Sequence, residues 1–183
     1  MGCSMLSDTI AGYIMCYHSV TDGYTCNHRH PGWEILFVRS GEGVYQSGDL
    51  VIPVKGPSLV WIDSRFLHGP DMRGRYERWN VFAPLAKADA PGSPADFIRG
   101  LIRSGDGVWP FRQGAAVARV PAGYVSRLEE LFASIRDELN GGAAYAHEIL
   151  SLKLAEIGFL FRRFLYEGQN EKLEGHGAGN GGA

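Results

Sequence analysis

His28 and His30 stand two residues apart, and Glu34 follows four residues later, all within the stretch 23–41, GYTCNHRHPGWEILFVRSG. In an extended chain residues i and i+2 share a face, so both imidazoles, with Cys26 beside them, can be aimed at one point. Pro31 and Gly32 then break the strand. In the apolar run WEILFV, Glu34, Leu36 and Val38 face one way, and Trp33, Ile35 and Phe37 the other. An ionised carboxylate on an apolar face is costly unless a cation or a hydrogen-bond donor meets it. Two imidazoles and a carboxylate converging on one interior point make a partial metal shell, open to a fourth ligand.

His68 is the residue placed to supply that ligand. It ends the segment SLVWIDSRFLH, and closure of a small barrel would bring it beside the first cluster, at a mouth. His28, His30, Glu34 and His68 offer three nitrogens and one oxygen to a divalent transition metal (manganese, iron, nickel or zinc), with room for water or substrate. The same residues also read as a metal-free polar network, and Glu34 alone could pair with Arg39 or Arg65. Trp61 and Arg65, on the segment leading to His68, are candidates for lining a ligand pocket. Cys26 reads as a small buried hydrophobe.

Such a cluster needs strands to hold it. From Thr9 to about Leu85 short β-branched and aromatic runs (GVYQ, LVIPV, SLVWI, YERWNVFAP) alternate with turn residues, the pattern of a sandwich or barrel. Pro53 places its strand at an edge or a bulge. After Pro84 the composition changes. Ser93-Pro94 opens a short helix, ADFIRGLIRS. A second helix is expected from about Gly123 to Asn140, with Val125, Leu128, Leu131, Phe132, Ile135 and Leu139 on one stripe and Asn140-Gly141-Gly142 as its end. The last is expected from about Ala143 to Tyr166. Its second half is apolar over more than one stripe, so it wants two partners, and Leu160, Phe161 and Phe164 predict a homodimer interface. From Gly168 the sequence turns polar and glycine-rich, the composition of a flexible linker.

At 183 residues, 45% hydrophobic, the chain can bury one full core. A net charge of −2 and the lack of any basic run exclude DNA binding by charge alone. Three widely spaced cysteines, Cys3, Cys16 and Cys26, suit a reduced, cytoplasmic protein better than a disulfide scaffold. The N-terminus lacks the charged start and unbroken apolar core of a signal peptide, and no apolar run is long enough to span a membrane.

The spacing Gly23, His28-x-His30-x3-Glu34-x6-Gly41, with Gly56 and His68 downstream, resembles the two motifs of the cupin barrels. With the helices included, and a segment like AHEILSLKLAEIGFLFRRF, the chain from about residue 9 to 167 is similar to the sensor and dimerisation domain of AraC-type transcription regulators. The resemblance implies a mainly β fold with α-helices: a small cupin (double-stranded β-helix) barrel over 1–90, a helical dimerisation segment over 91–167 and a linker over 168–183. It further implies a small-molecule effector, a homodimer, and DNA contact only through a helix-turn-helix domain outside these residues. The alternative is a small metal-dependent cupin enzyme, a dioxygenase or isomerase, using the same four residues.

Overall fold

The computed structural model describes residues 14–30, 32–63, 66–83, 114–142 and 144–177. Six strands, β1 (Met15–Thr25), β2 (Trp33–Ser47), β3 (Leu50–Lys55), β4 (Ser58–Asp63), β5 (His68–Ala83) and β6 (Ala115–Arg119), precede two helices, α1 (Val125–Gly141) and α2 (Ala146–Gly177). All strand pairs are antiparallel, in the order β1-β5-β2-β4-β6, with β3 paired to the second half of β2.

The long strands curl because their register is broken. Pairing of β2 with β5 shifts between Val38 and Ser40 and again between Ser40 and Glu42. Such bulges bend a strand and increase its twist. Gly41 sits at this bend with φ 104°, where a Cβ would lie 2.9 Å from the Arg75 carbonyl oxygen. Glycine is therefore the residue that lets β2 turn against β5 here.

Alternation along β2 divides the protein into two layers, as the sequence predicts. Leu36 and Val38 join Tyr45, Val54, Val60, Ile62, Met72 and Tyr76 inside the barrel. Trp33, Ile35 and Phe37 join Leu59, Trp61, Trp79 and Val81 under the helices, where Leu128, Phe132 and Ile135 of α1 and Leu154, Ile157, Phe161 and Phe164 of α2 cover them. Each such side chain contributes about 1.5–3 kcal/mol on burial. Lys153 of α2 donates to the Ser134 hydroxyl of α1 at 3.0 Å, and Arg127 of α1 pairs with Glu156 of α2.

Several expectations hold. α1 carries the expected stripe and ends at Gly142 in the left-handed conformation, and Pro53 lies on β3, which pairs with β2 alone. Others are corrected. The strand Ala115–Arg119 comes from the segment expected to be helical and pairs with β4. Its alanines gave it no strand signature. Leu160, Phe161 and Phe164 face the chain's own core rather than a second copy. α2 continues past Gly168, where a linker was expected, to Gly177; Glu171, Lys172, Leu173 and Glu174 are good helix formers. Cys26 is disulfide-bonded, not reduced, while Cys16 is free. The expected helix ADFIRGLIRS lies outside the described residues.

Candidate functional site

Glu34 reaches the site from the start of β2, where the strand's alternation turns it into the barrel at 5% exposure. His68 opens β5 and is fully buried. His28 and His30 lie just past β1. His28 is fixed by a two-bond backbone bridge to His68, with N–H to O distances of 2.8 and 2.9 Å. This bridge continues the β1–β5 ladder past Thr25 and Asp71 and so brings residues forty positions apart to one point.

The four expected ligands are brought together: one ligand atom from each of His28, His30, Glu34 and His68 lies within 4.8 Å of every other. The carboxylate is the hub. Its Oε1 is 2.8 Å from His30 Nε2 and 3.6 Å from His28 Nε2, and its Oε2 is 3.8 Å from His68 Nε2. Metal–ligand bonds of about 2.1 Å leave neighbouring ligand atoms about 3–4 Å apart, so this spacing fits a bound ion with small adjustments.

The His68 ring makes the case for a cation. Its Nδ1 is 2.8 Å from the Phe66 carbonyl oxygen, which can only accept, so Nδ1 carries the proton. In the neutral ring Nε2 is then a bare lone pair. It is buried, without a hydrogen-bond partner among the described residues, and aimed at a carboxylate. Two acceptors facing each other in a buried site require a positive charge between them or a second proton on the ring. A backbone acceptor on the distal ring nitrogen is also how proteins orient metal-bound histidines.

Burial alone would raise the Glu34 pKa. The three imidazoles gathered around it, His30 in hydrogen-bond contact and His28 and His68 slightly farther off, outweigh it and hold the carboxyl well below the usual range. Tyr45, stacked on His68 at 6.3 Å between ring centroids, is pushed the other way by burial and by the Glu34 charge, and stays a neutral phenol. The Phe82 edge closes the site against the His30 ring, 4.4 Å between centroids.

The remaining site expectations fare differently. Trp61 lies in the layer under the helices, 6.3 Å from Trp33 and 5.7 Å from Phe161 between ring centroids, not in the barrel. This corrects its reading as a ligand-lining residue: Val60 and Ile62 face inward, so Trp61 between them cannot. Arg65 lies outside the described residues. Arg39 pairs with Glu77 at 3.2 Å and with Glu129, not with Glu34. Cys26 Sγ approaches His28 Nδ1 to 3.7 Å, but as a disulfide sulfur it offers no thiolate.

Sequence reasoning missed a second polar cluster inside the barrel. On β5, Tyr76, Arg78, Asn80 and Phe82 alternate with Glu77, Trp79 and Val81, and it is the first set that faces inward. The available signal was that Trp79 and Val81 need the helices' cover, which turns Arg78 and Asn80 the other way.

No protein-family model matches the sequence, and no curated protein is significantly similar to it. Among solved structures, the AraC-like transcriptional activator CuxR matches 86% of this chain with a TM-score of 0.51 at 12% identity. ToxT from Vibrio cholerae, in an unsaturated fatty acid-bound form, matches 82% with a TM-score of 0.49 at 9% identity. The chain spans about half the length of each, 53% and 55% respectively. In fold, this chain is similar to the matched portion of the AraC-like activator CuxR.

Proposed function

We propose that this chain is the small-molecule-sensing and dimerisation domain of an AraC-type transcription regulator, with DNA contact belonging to a separate helix-turn-helix domain. The observation that carries the reading is the way β2 serves two layers. Glu34 and Leu36 point into the barrel while Trp33, Ile35 and Phe37 between them carry the helices. A molecule that shifts β2 from inside therefore shifts the platform on which α1 and α2 pack, and close-packed interfaces answer such shifts by changing between discrete arrangements.

The face of α2 turned away from the core supports the dimer. Leu152, Phe159 and Tyr166 are 72%, 56% and 65% exposed, and they recur every seventh residue, two turns apart on one side. A heptad stripe of this kind is the seam by which two copies of a helix pair. The resident ion we propose is one divalent transition metal on His28, His30, Glu34 and His68. There it would act as a Lewis acid or fix the barrel mouth.

A second reading, a metal-dependent dioxygenase or isomerase, is favoured by one feature. The His28 and His30 side chains are 34% and 23% exposed, so the cluster opens to solvent on their side. The two readings separate in one experiment on metal-loaded protein: screening small molecules by thermal shift, then following mass by sedimentation and product by mass spectrometry. The regulator reading expects a ligand that raises Tm and alters the dimer dissociation constant without being consumed. Turnover that disappears in His68→Ala would establish the enzyme instead.

A further inference from the structure

Arg78 lies inside the barrel at 7% exposure, and none of the described residues gives it a carboxylate partner. Its Nε donates to the Ser19 hydroxyl at 3.3 Å. Its guanidinium carbon lies 4.5, 5.4 and 5.9 Å from the ring centroids of Tyr24, Tyr76 and Tyr17. An arginine does not shed its proton in a protein, so this is a permanent charge taken out of water and met by ring faces and by the hydroxyls of Ser19, Tyr24 and Tyr76, with no carboxylate beside it among the described residues. The other buried charge, Glu34, is already engaged by three imidazoles.

On the same face of β1 and β5, Thr21 Oγ1 and Asn80 Oδ1 are buried and unpartnered among the described residues, and Tyr76 OH, also buried, has no partner but the guanidinium itself, at less than good hydrogen-bond geometry. Asn80 is 3% exposed, and its Nδ2 is spent on the Tyr17 hydroxyl at 2.9 Å. Burial pushes the Tyr76 phenol up to about 12, so it remains a donor. Leaving several such groups unmet inside a protein is costly. The set is specific in kind: a forked cation and two hydroxyls that can donate, and one amide oxygen that can only accept.

We propose that Arg78, with Tyr76, Thr21 and Asn80, is an anion subsite of the barrel that takes the carboxylate of a small organic acid. The guanidinium fork matches a carboxylate bidentately, the two hydroxyls donate to its remaining lone pairs, and Asn80 Oδ1 accepts from a hydroxyl next to it. Leu36, Val38 and Met72 of the barrel lining suit an apolar body. On the solvent side of the subsite stands the edge strand β1, which pairs with β5 alone and whose Tyr17 is 37% exposed. This inference rests on the sensing reading and gives its effector a chemical class.

The test is calorimetric titration of the metal-loaded protein with salicylate, 4-hydroxybenzoate and octanoate, each paired with its neutral amide. At least one acid is expected to bind where its amide does not. Arg78→Gln is expected to abolish that binding while keeping its circular dichroism and its metal content, and Arg78→Lys, which keeps the charge but loses the fork, to weaken it about tenfold. Equal affinity for acid and amide, no binding of any acid at millimolar concentration, or full binding by Arg78→Gln overturns the subsite. Should Arg78→Gln fail to fold, the acid–amide comparison and Arg78→Lys decide. Acid binding that leaves dimerisation untouched supports the subsite and removes the sensing reading, whereas a neutral effector that shifts the dimer equally in wild type and Arg78→Lys does the reverse.

Discussion

His68 turns its Nδ1 proton to the Phe66 carbonyl oxygen at 2.8 Å and leaves its other nitrogen, buried and unpartnered among the described residues, 3.8 Å from Glu34 Oε2. Protein purified without chelator is therefore expected to carry close to one transition metal per chain by elemental analysis. His68→Ala should lose it, and chelation of the wild type should lower Tm. Wild-type protein that is metal-free and whose melting ignores added manganese, nickel, iron or zinc would leave the four residues as a polar network only.

Acid should unlock the same site. Glu34 has its pKa depressed in the folded protein, because the three imidazoles around it, His30 hydrogen-bonded to it, outweigh the cost of burial. A group with a lowered folded pKa contributes stability that is complete above its unfolded pKa, about 4.3 for a glutamate, and that is lost as pH falls toward the folded value. Urea melts of chelated protein should show stability declining below about pH 4.3, with a shallower slope in Glu34→Gln. Identical slopes in the two proteins would mean that Glu34 contributes nothing to the acid limb.

The two faces of α2 predict opposite phenotypes. Replacing Leu152, Phe159 and Tyr166 with glutamate should leave the monomer fold intact and reduce the mass seen by light scattering from dimer to monomer. Phe161→Ala, in the buried layer against Trp61, should instead cost about 3–5 kcal/mol of stability. A triple variant that remains dimeric would place the interface elsewhere.

These faces also mark where the sequence was legible. Alternation in WEILFV was enough to assign both layers of β2, because a half-turned residue there would bury a carboxylate under the helices. The convergence of His28, His30, Glu34 and His68 was legible for a similar reason: histidines two apart share a face, and a glutamate on an apolar face needs polar company. Arg78 was not, since YERWNVF alternates polar and aromatic residues on both sides and only the position of the helices says which side is in. Leu160, Phe161 and Phe164 were misplaced because the greasier stripe of a helix is the one a chain keeps for its own core. Trp61 was misread on proximity in sequence to His68, where parity should have decided.

Gly69 yields the last prediction, because it tests the continued β1–β5 pairing without altering any of the four clustered residues. It lies between His68 and Pro70 on β5, where Cys26 N–H bonds to the Pro70 carbonyl at 3.3 Å and His28 bridges to His68. A Cβ at Gly69 would stand 2.6 Å from the Cys26 carbonyl carbon and would overlap its oxygen outright. Both obstacles are backbone, so nothing yields cheaply. Gly69→Ala must push the segment carrying His28 and His30 off β5, and overpacking of this sort costs about 1–3 kcal/mol or more. The expected result is a lower Tm together with loss of the metal, although all four ligands remain. Gly168→Ala, in α2 with nothing within 4 Å of the added carbon, is the control and should stabilise the helix by about 0.5–1 kcal/mol. Gly69→Ala with wild-type melting and full metal content would show that the close approach of β5 to the histidine segment does not hold the site together.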